Sequence, residues 1–450
     1  MLQKNEQIEL EIIDLSDQGF GVAKVDGFTV FVESALPNER VIAKIINVQK
    51  RFAIAILVEV LKQSDDRIDI LDKKATITGT MPLQHMTYQA QLKFKEKTVK
   101  DLITTNIVDD KIEFLPIIGM KNPWNYRNKG QIPVREVNGV LETGFFRRRS
   151  HQLIPIEEFY IQDKRIDKTV LLVRDLLRKY NISAYDETFH EGIIRNIVVR
   201  QAQHTDEQMI ILVTNTTDRL NQDFINELID TIPNLVSLVQ NINTKQTNVI
   251  LGTKKRVLFG DDTYQDKILD LTFKISSQSF FQVNSDQTEV LYQTALEFAE
   301  LKEEDVVVDA YSGIGTISLM MAKQARHVYG VEIVEDAVKM AKENARLNKI
   351  NNVSFVADKA ENFMKEYIKT QAMDVLMVDP PRKGLHPSFI EAVLETEPER
   401  IVYVSCNPKS LANDLKQLSE KYDVVKVQAV DMFPHTLHVE TVVLLQQKAH

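Results

Sequence analysis

Cysteine is nearly missing: 450 residues hold one, Cys406. A single thiol excludes an internal disulfide and any metal cluster held by several thiolates, and it fits a reducing compartment. Long apolar runs are missing too. The leading MLQKNEQIEL has no apolar signal core, and no uninterrupted stretch reaches the roughly 20 residues that a membrane helix needs. A cytoplasmic protein without a membrane partner is expected. An excess of cations is also lacking: 55 basic against 64 acidic residues leave a net charge of −9, which taken alone argues mildly against a polyanionic partner. No coiled-coil pattern is present, and no obligatory protein partner is evident. The remainder is ordinary, 44% hydrophobic and 26% charged, enough for about two to four domains with buried cores.

Residues 1–60 read as short strands between turns: QIELEIIDL, GFGVAKVDG, GFTVFVESAL, ERVIAKIINV and FAIAILVEVL. Closely spaced strands with Gly-rich turns predict a small OB-like β-barrel. Residues 61–270 are mixed, with helices expected at 86–104, 165–180 and 218–230 and strands at 193–200, 208–214 and 248–252. That pattern predicts a central α/β domain. Over 271–450, apolar strands at 306–310, 327–332, 353–358, 374–379 and 401–406 alternate with helical stretches, which predicts a doubly wound, Rossmann-like parallel sheet. The last two strands, DVVKVQAV and VETVVLLQQ, are joined by a linker too short for a crossover helix and should run antiparallel.

In such a sheet, ligands bind beyond the carboxyl ends of the strands. The first strand runs into Asp309-x-Tyr311-x-Gly313-x-Gly315, where glycines let the backbone approach a ligand. The dinucleotide fingerprint needs a third glycine, but Ser318 stands there. The next strands end in Glu332, suited to ribose hydroxyls, and Asp358, suited to an adenine amine. Acids at successive strand ends without a full phosphate cradle fit S-adenosyl-L-methionine. The fourth strand ends in Asp379-Pro380-Pro381, whose prolines stiffen the loop. The fifth ends in Cys406. A lone cysteine is usually packing, but this one stands on the ligand-binding edge.

DAYSGIGT, DPPRKG, VSCNP and HVETVVLL resemble the motifs of the RNA uracil-5-methyltransferases, and the match runs over most of the chain. FFQVN, YRNKGQIPV and EGIIRNIVVR fit the family's pattern too. The stretch SDQGFGVAKVDGFTVFVESALPNERV resembles a TRAM domain, which implies RNA binding and, within the family, the 23S ribosomal RNA branch. The resemblance implies Cys406 as nucleophile and Glu440 as base, with Gln282, Tyr311, Gly313, Glu332, Asp358 and Asp379 at the cofactor. Phe280, Gln282, Asp379, Arg127 and Arg147 are expected at the RNA. Many members of that branch carry four cysteines holding an iron–sulfur cluster, three of them before a Gln-His motif. Here Gln84-His85 stands without a preceding cysteine, so no iron–sulfur cluster is expected.

The chemistry explains the thiol. Carbon 5 of uracil is a weak nucleophile, and a thiolate adding at carbon 6 turns the ring into an enolate that accepts a methyl group. A free thiol is mostly protonated at neutral pH, and a sulfonium nearby would lower its pKa. Three alternatives are an RNA N-methyltransferase using Asp-Pro-Pro, a tRNA uracil-5-methyltransferase, and a non-catalytic RNA-binding factor. In the first, an aromatic residue usually follows the prolines, whereas Arg382 follows here.

Overall fold

The computed structural model describes residues 2–367 and 373–449. At the N-terminus, six strands form one sheet. The stretch from Gln7 pairs with Arg40–Val48 and then, at Asp14–Leu15, with Gly21–Val25. One continuous segment thus joins both edges, and the sheet closes as a barrel. Its interior is filled by Val30, Val32, Val41 and Ile45 with small Ala23, Ala43, Ala53 and Ala55. Alternating small residues let so narrow a barrel close without voids.

The central domain is a seven-stranded sheet in the order Leu153–Pro155, Val140–Phe146, Lys129–Val137, Ile194–Gln201, Gln208–Thr214, Leu235–Ile242 and Lys254–Gly260. Helices Lys164–Lys179 and Gln222–Thr231 cover one face through Val170, Val173, Leu177 and Phe224. On the other face, Val198, Met209 and Ile211 pack against the hairpin Thr263–Ile268/Leu271–Ser276 and the C-terminal domain. The strand expected at 248–252 is an irregular loop. Asn243 donates to the carbonyls of Val249 and Ile250, while Asn241 bonds both polar groups of Gly252. These side chains take the backbone bonds a ladder would need, and pairing starts only at Lys254.

The C-terminal sheet has eight strands, in the order Val353–Ala357, His327–Glu332, Val306–Ala310, Val375–Val378, Arg400–Ser405, Glu440–Gln447, Tyr422–Val430 and Glu113–Ile118. The last pair in sequence is antiparallel. The domain boundary expected near residue 270 is crossed by the chain. Strand Glu113–Ile118 adds in parallel to Tyr422–Val430, and helix Tyr88–Asn106 packs on the same layer as helix Pro408–Leu418 through Val99 and Ile103. Val306–Ala310 lies between His327–Glu332 and Val375–Val378. That is where chain direction around the sheet reverses, the switch point at which such folds form their ligand crevice.

Candidate active site

Beyond Ala310 the backbone turns sharply, with Tyr311 at φ 76°, Gly313 at 54° and Gly315 at 86°. A left-handed tyrosine is uncommon and persists only where its surroundings hold it. Here the amides of Tyr311 and Ser312 both donate to the Val331 carbonyl, at 2.9 and 3.0 Å. A side chain at Gly315 would put its Cβ 2.7 Å from the Phe355 ring. Glu332 accepts from the Gly313 amide at 3.1 Å and from the Val334 amide at 2.9 Å, which fixes its carboxylate at the strand end. Asp358 ends the neighbouring strand and accepts from Lys359 and Asn362. Across the crevice lie Gln282, Tyr292, Thr316 and Asp379. Burial pushes Asp379 up to about 7 and Asp309 also to about 7, the latter opposed by a hydroxyl bond from Ser318. A tight backbone turn, an oriented carboxylate and further desolvated acids suit a cationic nucleoside, so S-adenosyl-L-methionine fits the donor set.

Ser405 and Thr441 are register partners across antiparallel strands. The register ends at that pair; Cys406 follows Ser405 as the chain leaves one strand, Glu440 precedes Thr441 at the start of the other, and the Glu440 carboxylate acts on the Cys406 thiol. Asn407-Pro408 ends the strand and opens the next helix, with Asn407 as its cap. Asn407 and Ser410 also donate to the Arg382 carbonyl, tying the two loops together. Burial, then the Glu440 and Asp379 carboxylates, push the Cys406 thiol up to about 11, with Arg382 opposing. Burial and the two carboxylates thus keep the thiol protonated in the free protein, and the lowering expected from a sulfonium belongs to the cofactor-bound state. Burial and Asp379 push Glu440 up to about 8. Arg382 bonds His438 at 3.0 Å.

The loop before Glu440 is braced from the N-terminal half. Lys95, fully buried, contacts Asp431 at 2.6 Å and donates to the Phe433 carbonyl at 3.0 Å. Tyr88 donates to Asp431, and Tyr126 donates to the Pro434 carbonyl. Gln91 bonds His435, whose ring stacks on Trp124 at 3.8 Å. Buried Gln84 bonds both backbone groups of Asp72. None of these braces was anticipated from sequence.

The FFQVN segment divides its two rings. Phe281 is packed in the core, whereas Phe280 is 70% exposed beside the crevice. Asn128 donates to the Gln282 carbonyl at 3.0 Å, and the Asn128 amide to that of Val283 at 2.8 Å. This joins the central domain to the crevice, and Arg127 itself forms a backbone bridge with Asn284, two residues after Gln282. Arg147 lies elsewhere, on the exposed turn after strand Val140–Phe146, and neighbouring Arg148 pairs with Glu33 of the barrel. On strand Lys254–Gly260, Lys255 pairs with Asp262 and Arg256 bonds Gln240 and Thr217.

A class I-like sheet with acids at its strand ends, joined to an RNA-binding type of barrel, defines an S-adenosylmethionine-dependent RNA methyltransferase. The sequence profile of the tRNA (Uracil-5-)-methyltransferase family matches residues 87–448, and that of the TRAM domain matches residues 2–58. The chain belongs to the RNA uracil-5-methyltransferase family. An RNA methyltransferase of Enterococcus faecalis is 46% identical over 447 residues, 99% of this chain and 98% of that protein. One of Streptococcus agalactiae is 48% identical over 451 residues, 99% of both. The crystal structure of Pyrococcus abyssi tRNA (uracil-54, C5)-methyltransferase in complex with S-adenosyl-L-homocysteine has a TM-score of 0.78. It is 26% identical and covers 97% of this chain and 100% of its own.

Proposed function

We propose that this chain makes 5-methyluridine in 23S ribosomal RNA, with Cys406 as nucleophile and Glu440 as base. The observation that carries this reading is the placement of Cys406 and Glu440 at adjoining ends of two paired strands, within electrostatic reach of each other and of buried Asp379. Glu332, Tyr311, Gly313 and Asp358, with Gln282 and Asp379, would hold S-adenosyl-L-methionine, which would supply an electrophilic methyl group for carbon 5. The sulfonium's charge would oppose the carboxylates that keep Cys406 protonated; the thiol then gives its proton to solvent, the thiolate adds to carbon 6, and the ring's electron pair moves toward carbon 5. Asp379 and Gln282 hydrogen-bond the uracil edge, while Phe280 offers an exposed face for stacking. Glu440 then accepts the carbon 5 proton, the sulfur–carbon bond breaks, and the thiolate returns. A carboxyl raised to about 8 by burial is a far stronger base than an exposed one.

A base in folded RNA must be extruded to reach this crevice. The barrel, by its TRAM resemblance, supports an RNA substrate, and the ribosomal reading follows that resemblance. A uridine of tRNA is the second reading. The Pyrococcus enzyme named for tRNA aligns over 97% of this chain, a span too long to omit the barrel.

RNA carrying 5-fluorouridine tests the chemistry, since fluorine does not leave as a proton does. Native protein should give a covalent band on a denaturing gel, and Cys406→Ala none. A band with the alanine variant moves the nucleophile elsewhere. Mapping 5-methyluridine in a strain lacking the protein tests the substrate: loss from 23S rRNA is expected, and loss from tRNA alone overturns the ribosomal reading.

A further inference from the structure

Two cations face each other where sheet physics disfavours them. Lys129 and Arg200 are direct register partners on antiparallel strands, and like charges so placed repel. By strand alternation both lie on the side of the sheet where Val198 packs toward the C-terminal domain. Arg200 is only 3% exposed, and its Nη2 donates to the carbonyls of Ser277 and Ser279, which neutralise no charge. Its Nε has no partner. Arg127, two residues before Lys129, adds a third cation. Among the described residues no carboxylate acts on Arg127 or Lys129, and the Nη2 bonds from Arg200 go to those two carbonyls. Burial, then Arg200 and Arg127, push Lys129 down to about 7.

Desolvated cations without a counter-ion are costly, and an anionic ligand relieves that cost. The position says which ligand. Asn128, between Arg127 and Lys129, bonds the carbonyl of Gln282 at the crevice. Burial, Arg382, Lys95 and Arg127 together hold His438 low, at about 4. The cations therefore continue from Lys129 through Arg127 toward Arg382, beside Cys406. We propose that Arg127, Lys129 and Arg200 form a phosphate-binding site for the RNA backbone next to the extruded uridine. A nucleotide whose base enters the crevice draws its own phosphates to this wall, and they replace the counter-ion that the protein omits. The proposal rests on RNA being the substrate.

Lys129→Met and Lys129→Gln test it on the full-length protein. The probe is bulk RNA from a strain lacking the enzyme, measured by filter binding at several salt concentrations. Both variants should bind it roughly fivefold more weakly, and the salt dependence should fall by about one ion. Affinity for S-adenosylhomocysteine, measured by calorimetry, should stay within about twofold. The free variants should also melt about 2 °C or more above native, because a repelled, unpaired cation is gone. A structural lysine would give the opposite sign. Equal weakening of RNA and S-adenosylhomocysteine overturns the proposal and makes the anion the cofactor's carboxylate. Unchanged RNA binding and salt dependence overturn it outright. Because binding is read rather than methyl transfer, a native protein that makes no 5-methyluridine would defeat the functional reading without touching this one.

Discussion

The two walls of the crevice carry opposite charge. The wall built by the C-terminal sheet is acidic, with Asp309, Asp379 and Glu440 all pushed well above the carboxylate range, chiefly by burial. The central sheet, tied to the crevice where Asn128 bonds Gln282, presents a basic cluster of Arg127, Lys129 and Arg200, in which no carboxylate among the described residues acts on the first two. Neither wall balances its own charge. The net of −9 conceals this division, because it averages over patches that never meet. A sulfonium suits the first cluster and a polyanion the second.

Glu440→Gln should break the acidic wall with the largest effect. It keeps shape and removes the base, so adduct formation and methyl transfer continue while adduct breakdown slows about 10²- to 10⁴-fold. A methylated covalent RNA–protein complex should then accumulate on ordinary uridine substrate. With native protein, breakdown of a preformed adduct should quicken from pH 6 to 9, because Glu440, raised to about 8, loses its proton over that range. The preformed adduct has no free Cys406 thiol, so the profile reads Glu440. Breakdown at the native rate in the variant removes Glu440 from the role.

The next effect is on the brace. Lys95 and Asp431 form a buried ion pair at 2.6 Å directly under the loop that leads to Glu440. Lys95→Met leaves a buried carboxylate with Tyr88 as its remaining side-chain donor, a change of about 3–5 kcal/mol in unfolding free energy. Denaturant melts check the stability. Adduct breakdown should slow more than adduct formation, since Cys406 stands on the other strand. Equal slowing of both would mean that the brace supports the whole crevice rather than this loop.

The acidic wall was more legible in sequence than the basic one, for physical reasons. Parallel strands buried on both faces read as continuous apolar runs, and Val306–Ala310 and His327–Glu332 were located from such runs at their observed bounds. Their strand ends then gave Glu332, Asp379 and Cys406 directly. Edge strand Glu113–Ile118 contains Pro116 and only half-buried apolar side chains, so it carried little signal. The hairpin Lys129–Val137/Val140–Phe146 did have a signal: Asn138-Gly139, both at positive φ, is a common two-residue turn. Lys129 meets Arg200 only once register is known, and Lys95 meets Asp431 across 336 positions. Pairings of that separation leave no periodicity to read in a single sequence.

The smallest expected effect tests whether the basic wall is special or merely basic. Arg147 was expected at the RNA, yet it sits exposed on a turn beside the barrel. Its charge is already solvated, so a phosphate there replaces water rather than a missing counter-ion, and such exposed contacts are worth about 0.2–1 kcal/mol. Arg147→Ala should therefore weaken binding of bulk RNA by less than about fivefold and leave the melting temperature unchanged. Lys129→Met differs in both respects, losing more affinity and gaining stability. Filter binding and thermal melts on the two variants side by side make the comparison. If Arg147→Ala costs as much affinity as Lys129→Met, position in the crevice adds nothing to charge, and the RNA path runs out over the turn instead of along the wall.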